Sequence, residues 1–296
     1  MFPDYRPQPV TTASVMEWLR PYRRGERKAL IRILSSLRYL TEEETKKTLV
    51  TLNGALLRRL NGSGIAPKDV IYVQVHDAGS SSPVMLNLLK DFAHLERLGC
   101  KLIDSKDATG FSKLFNTIES GAVVYVDDFA GTGNQFCGVR DILAGLIPTT
   151  FVEFVIMPGM CEEAYRRIVQ RGIEPYTGFI HSKADRPLDE SSGILDSRTR
   201  SLVRELCRQV APPVGLGYKE IASHVVFYRN APNTIPAVLR GSRGQHPYPG
   251  LFPRTDDFPP EALEPAKSPK DKADLFKVRD EASRAAESIK RNTQGK

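Results

Sequence analysis

Four consecutive apolar residues, Val123-Val124-Tyr125-Val126, run without a break into Asp127-Asp128 and then into Phe129-Ala130-Gly131-Thr132-Gly133-Asn134-Gln135. A strand without polar alternation is buried on both faces, which calls for a parallel sheet covered by helices on each side. In open sheets of this kind, ligands bind beyond the carboxyl ends of the strands, where the two acids stand. Gly131 and Gly133 let the turn take unusual backbone angles and let a ligand approach the main chain. The helix that follows presents unpaired N–H groups, a ready site for phosphate. Adjacent carboxylates suit a sugar diol, or a hydrated magnesium ion held together with its phosphates. The stretch therefore predicts a site for a phosphorylated ribose.

The flanking sequence agrees with an α/β fold, a mainly parallel sheet with flanking helices. Strands are expected at Val70–Val75, Cys100–Ile103, Phe151–Met157 and Tyr176–His181, separated by helices at Pro83–Leu98, Phe111–Glu119, Phe136–Ala144 and Cys161–Gln170. Strands that alternate with helices in this way imply parallel pairing. Before them, residues 15–62 read as an N-terminal helical segment, with Thr41 as an N-cap before Glu42-Glu43-Glu44. A further helix is expected at Arg198–Val210 and a last strand at Val225–Tyr228. The α/β domain is placed at 63–254, with its C-terminal part as a strand and hood. Residues 1–14 are expected to be disordered, as is most of the tail 255–296, where nine acids balance nine bases among Pro, Lys and Ser.

Composition removes several classes of function. The four cysteines (Cys100, Cys137, Cys161 and Cys207) are spread without C-x-x-C pairing, which argues against structural zinc or a disulfide scaffold. The five histidines are scattered too. No apolar run reaches the roughly 20 residues of a membrane span, and Met1–Pro9 lacks the apolar core of a signal peptide, so a cytoplasmic protein is expected. The net charge is +7, and residues 1–60 hold twelve Lys/Arg against six Asp/Glu. Arg20, Arg23, Arg24, Arg27, Lys28 and Arg32 make this either the solvated face of a helix or a surface for nucleic acid or a partner protein.

The strand, acid pair and loop resemble the signature of the type I phosphoribosyltransferases. The resemblance implies that Asp127 and Asp128 hold the ribose hydroxyls of phosphoribosyl pyrophosphate (PRPP), with Mg²⁺ carried alongside PRPP rather than held by protein alone. It implies further that Ala130, Gly131, Thr132, Gly133, Asn134 and Gln135 wrap the 5-phosphate. Gly131, Asn134 and Gln135 depart from the usual Thr, Gly and Thr. After Val75 comes His76-Asp77-Ala78-Gly79-Ser80-Ser81-Ser82, at the place of the family's pyrophosphate loop. There Ala78, Gly79, Ser80 and Ser81 would offer N–H groups, but the loop lacks a Lys or Arg. The stretch from Gly217-Tyr218 through Val225–Tyr228, Asn230, Asn233 and Leu251–Arg254 is similar to the divergent phosphoribosyltransferase-like proteins of bacterial conflict and phage-defence loci. The implied activity is that of a pentosyl-transferring glycosyltransferase, whose acceptor the sequence does not specify.

Two other readings compete. A fold of this type can serve as a non-catalytic module that senses PRPP or a nucleotide. Asp128-Phe129-Ala130-Gly131-Thr132-Gly133 also fits the S-adenosylmethionine loop of amino-methyltransferases. Such enzymes need an Asp/Asn-Pro-Pro-aromatic motif, which Ala211-Pro212-Pro213-Val214 and Phe258-Pro259-Pro260-Glu261 both fail to supply. An NTPase would need a G-x-x-x-x-G-K-[ST] loop, and the chain has none. His181, Lys183 and Arg186 follow a strand end and are candidates to face the site, with the surface as the expected place. Asn230 and Asn233 are candidates for ligand contact in the hood.

Overall fold

The computed structural model describes residues 1–75, 81–241 and 250–254; the tail 255–296 lies outside them. Along the chain come α1 (Thr12–Leu19), α2 (Arg24–Ser35), β1 (Arg38–Leu40), α3 (Glu42–Gly62), β2 (Val70–Gln74), α4 (Ser81–Phe92), β3 (Lys101–Asp104) and α5 (Ala108–Thr117). Then follow β4 (Gly121–Val126), β5 (Phe129–Ala130), α6 (Asn134–Leu143), β6 (Phe151–Met157), β7 (Gly159–Cys161) and α7 (Glu162–Val169). The last elements are β8 (Glu174–Thr177), β9 (Ile180–His181), α8 (Ser197–Val210), β10 (Val225–Phe227) and α9 (Ala237–Arg240).

A five-stranded, wholly parallel sheet in the order β3-β2-β4-β6-β8 forms the centre. Every residue of β4 is buried. The pleat sends Val123 and Tyr125 to one face, with Phe111, Phe136 and Ile168 from α5, α6 and α7. Val124 and Val126 go to the other face, with Leu49 and Leu56 of α3 and Met85 and Leu89 of α4. The unbroken apolar run is thus what two helical layers require, and each large side chain so buried contributes about 1.5–3 kcal/mol. Thr41 caps α3 as its sequence implies. Its Oγ1 accepts from the Glu44 N–H at 3.2 Å, and the Glu44 carboxylate accepts from the Thr41 N–H at 2.9 Å.

A second apolar cluster lies apart from the sheet. It joins Trp18, Leu30 and Ile33 of α1 and α2 to Val203 and Leu206 of α8, Val226 of β10, Val238 of α9 and Phe252. β1 pairs in parallel with β10, and the Trp18 indole donates to the Val238 carbonyl at 2.7 Å. The N-terminal helices therefore do not form one segment. α3 belongs to the sheet, while α1 and α2 build a single hood with residues from the C-terminal part.

The structure also differs from the sequence reading at the N-terminus and at several element boundaries. Residues 1–14, expected to be disordered, pack against the hood: Tyr5 and Val10 are buried, and the Arg6 N–H donates to the Tyr228 carbonyl at 2.7 Å. The Tyr5 hydroxyl donates to the Pro253 carbonyl at 2.6 Å across 248 positions. Local polarity made this segment look disordered because its partners lie at the far end of the chain. The expected strand Tyr176–His181 is split at Gly178, where an added Cβ would lie 2.7 Å from the Pro158 carbonyl oxygen. Its second half, β9, leaves the main sheet and joins β5 and β7 in a small three-stranded one. α4 stops at Phe92 rather than Leu98, with His94 in the left-handed region at φ 53°. Residues 38–40, read as part of a helical stretch, form β1 because β10 offers them a pairing edge.

Candidate functional site

Within the main sheet the chain leaves β2 outward to β3 and then returns to place β4 on the other side of β2. The strand order reverses between β2 and β4, and crevices at such a point are where open α/β sheets take ligands. Ser81 opens α4 after β2, and Asp127 and Asp128 follow β4, so the two chain ends converge there. The Ser81 hydroxyl donates to Asp127 Oδ1 at 2.6 Å, and the Asp128 N–H donates to the same oxygen at 2.9 Å. Asp128 Oδ1 accepts from the Phe129 N–H at 2.6 Å. Next to it the Ser82 hydroxyl donates to the Val126 carbonyl and accepts from the Val75 N–H, tying β2 to β4.

Two carboxylates this close are electrostatically strained. Asp127 is 5% exposed. Burial, and then the charge of Asp127, push Asp128 up to about 7, while Arg229 acts in the opposite sense. The pair thus holds one of its two charges weakly near neutrality, a state that donors or a cation on a ligand relieve.

The loop after the acids is shaped by its neighbours. Gly133 caps α6 with φ 72°, in the left-handed region, and an added Cβ would come 3.1 Å from the Ala164 backbone. Thr132 Oγ1 accepts from the Asn134 N–H at 3.2 Å, closing the turn over the first residues of α6. At Gly131 the constraint comes from the hood: an added Cβ would lie 2.5 Å from the Thr234 methyl. Thr234 is buried and hydrogen-bonds Ser223 at 2.7 Å. The departure from threonine at 131 therefore has a packing cause.

A cavity of about 740 Å³ opens between this floor and the hood. Asp127, Asp128, Ala130, Gly131, Thr132, Gly133, Asn134, Gln135 and Ser81 all line it. Ala78, Gly79 and Ser80 lie outside the described residues. From the hood come Tyr218, Arg229, Asn230, Asn233, Thr234 and Arg254, so both candidate asparagines reach the cavity. Arg229 and Arg254 were not singled out, although Arg229 directly follows the strand-end Tyr228. Tyr218 belongs to the stretch similar to the conflict-locus proteins but has no local signal of ligand contact, and Thr234 and Met157 carry no sequence signal at all.

Other candidates fall elsewhere. His181 and Arg186 are not at the surface but are 3% and 2% exposed. Arg186 pairs with Glu163, and His181 Nε2 accepts from the His224 N–H at 3.0 Å. Both serve the packing of the hood and do not line the cavity; Lys183 is exposed, as expected. A methyltransferase would need a carboxylate for the adenosine ribose at the end of the strand after the loop; Glu153 lies within that strand, β6, where it is held by Arg140 and accepts from the Tyr125 hydroxyl at 2.7 Å. The basic residues of α2 are exposed, with Arg32 paired to Asp196 at 3.0 Å. Among the described residues, no three His, Cys, Asp or Glu side chains cluster to hold a metal, and no helix is long and apolar enough to cross a membrane. A magnesium ion would fit at Asp127 and Asp128 only with ligand oxygens completing its shell.

Comparison with known proteins places this geometry. No curated protein matches the chain in sequence. A solved structure of a hypothetical protein from Neisseria gonorrhoeae with bound ppGpp is similar over 49% of this chain and 85% of that chain, at 11% identity and a TM-score of 0.33. The PRTase-CE family model matches residues 15–254, which takes in the sheet, the acid pair, the loop and the hood. The chain belongs to the PRTase-CE family, the phosphoribosyltransferase-like proteins of conflict systems.

Proposed function

We propose that this protein binds PRPP, accompanied by Mg²⁺, in the cavity between the sheet and the hood, and transfers its phosphoribosyl group to an acceptor. The observation that carries the reading is the placement of the acid pair and the glycine loop together at the switch point of the sheet. The carboxylates of Asp127 and Asp128 would accept from the ribose hydroxyls. The α6 N-terminus, the Thr132 hydroxyl and the backbone around Gly133 would hold the 5-phosphate, since N–H groups there point toward an anion. Mg²⁺, when bound with PRPP, supplies charge neutralisation to the departing diphosphate.

In the transfer, the bond from ribose C1 to the diphosphate oxygen breaks and a bond from C1 to the acceptor nucleophile forms. The diphosphate leaves with the bonding electron pair, and the nucleophile loses its proton. Positive charge develops on the ribose in between, and the fixed negative charge of the acid pair beneath the ring stabilises it. The rest of the rate would come from holding donor and acceptor at reacting distance under the hood.

Titration of the full chain with PRPP and Mg²⁺, followed by assay for released pyrophosphate, tests the two halves separately. Replacing both acids (Asp127→Asn with Asp128→Asn) should weaken PRPP binding about 100-fold or more, from loss of charge-assisted hydrogen bonds, with the fold retained. Binding without pyrophosphate release in the presence of candidate acceptors would leave a PRPP-sensing module and refute transfer. The S-adenosylmethionine reading is disfavoured by Glu153, whose carboxylate is committed to Arg140 and Tyr125.

A further inference from the structure

We propose that Arg229 and Arg254 form the diphosphate-binding wall of the cavity, so that the hood supplies the positive charge absent from the loop after β2. This inference rests on the reading of the cavity as a PRPP site. From His76 to Ser82 the chain has no Lys or Arg. Among the described residues that line the cavity, Arg229 and Arg254 are the only basic ones. The floor opposite them carries two carboxylates, which repel a ligand as anionic as a diphosphate unless cations stand nearby.

The 5-phosphate already has a seat in the loop 130–135 and the α6 N-terminus, both of which act through N–H groups. Among the described residues that line the cavity, these two guanidinium groups are the cations that can face the diphosphate. A planar guanidinium also matches phosphate oxygens two at a time, which a lone ammonium does not.

Both arginines are carried on well-anchored backbone. Arg229 follows the buried Tyr228, whose carbonyl accepts from the Arg6 N–H at 2.7 Å and whose N–H donates to Leu40 at 2.8 Å. It is close enough to Asp128 to favour that residue's ionised form. Arg254 follows the buried Phe252 and the Tyr5-bound carbonyl of Pro253, and its Nη1 donates to the Ala231 carbonyl at 2.9 Å. The charge is therefore set in place by the second apolar cluster, and the N-terminal residues 2–10 serve the site indirectly through it.

The test compares ribose 5-phosphate with PRPP by calorimetric titration in Mg²⁺, using the full chain and the variants Arg229→Gln, Arg229→Lys and Arg254→Gln. Ribose 5-phosphate lacks only the diphosphate. Each Gln variant should weaken PRPP binding about tenfold or more, while ribose 5-phosphate changes less than about twofold; Arg229→Lys should recover part of the loss. Thermal unfolding checks that the hood is intact, which matters most for Arg254 because it braces Ala231. Equal weakening of both ligands would place the arginines on the 5-phosphate and overturn the assignment, as would unchanged PRPP affinity. If the unmodified chain binds neither ligand, the PRPP reading of the cavity itself fails.

Discussion

Replacing Asp128 by Asn should make this protein more stable at alkaline pH while weakening the PRPP binding proposed above. Folding lifts the Asp128 carboxyl from 3.8 to about 7, by burial first and by the adjacent Asp127 second. A carboxyl that binds its proton more tightly in the folded state loses stability as pH rises between those two values. At about 1.36 kcal/mol for each pH unit, the penalty above pH 7 is bounded at about 4 kcal/mol. Asp128 is partly exposed, and screening by solvent brings the expected figure to about 2 kcal/mol. The Asn variant has no such charge to bury, and its Oδ1 can still accept from the Phe129 N–H.

Urea unfolding of both proteins at pH 5 and pH 8 provides the measurement. The stability difference in favour of Asp128→Asn should be about 1 kcal/mol at pH 5, which already lies above 3.8, and reach about 2 kcal/mol at pH 8. Taking the difference between the proteins removes every titration they share, including that of the buried histidines. A variant that is equally or less stable than the parent at pH 8 would show that Asp128 is held by its hydrogen bonds and is not strained. In that case the acid pair would not be a site at which stability is given up for binding.

Gly131→Thr, which installs the residue usual in phosphate loops of this type, should destabilise the fold by about 1–3 kcal/mol through its clash with Thr234. Thr234→Ser should relieve much of that cost, and a double-mutant cycle that shows no coupling would refute the contact. Burial holds His181 and His224 down to about 4, so both enter the fold neutral. Their folded values lie below the unfolded one, so the stability they permit is present above about pH 6.5 and is lost as pH falls toward 4. His224 Nε2 contacts the Ile33 carbonyl of α2 at 2.6 Å, so acid should loosen the hood before the sheet. Hydrogen exchange at pH 5 that shows the two regions opening together would contradict this.

Much of the site could be read along the chain because it is local there. The acids, Gly131, Thr132 and Gly133 lie within seven positions of each other, and a buried strand that ends in polar residues fixes their height above the sheet. Ser81 was also visible, because a strand followed by small residues and a helix start repeats the same local logic. Arg186 and His181 were misjudged for the opposite reason. A charged or polar residue after a strand end looks exposed, and only Glu163 and the His224 N–H, supplied by other elements, make their burial tolerable. Arg229 and Arg254 stand 25 positions apart, and only the fold brings them to one cavity.

A parallel sheet with helices on both faces, and a β4 that ends in an acid pair and a glycine-rich turn, follow from the order of residues along the chain. Apolar periodicity and turn chemistry are short-range, so composition over a few residues is enough to set them. Long-range packing set the strand order that makes this end a switch point. It alone brought Tyr5 to Phe252, with ring centres 5.3 Å apart, and so closed a hood of N- and C-terminal residues over the acids. Those choices depend on which distant surfaces bury each other best, and a pairing across the whole chain leaves no periodic trace in either partner.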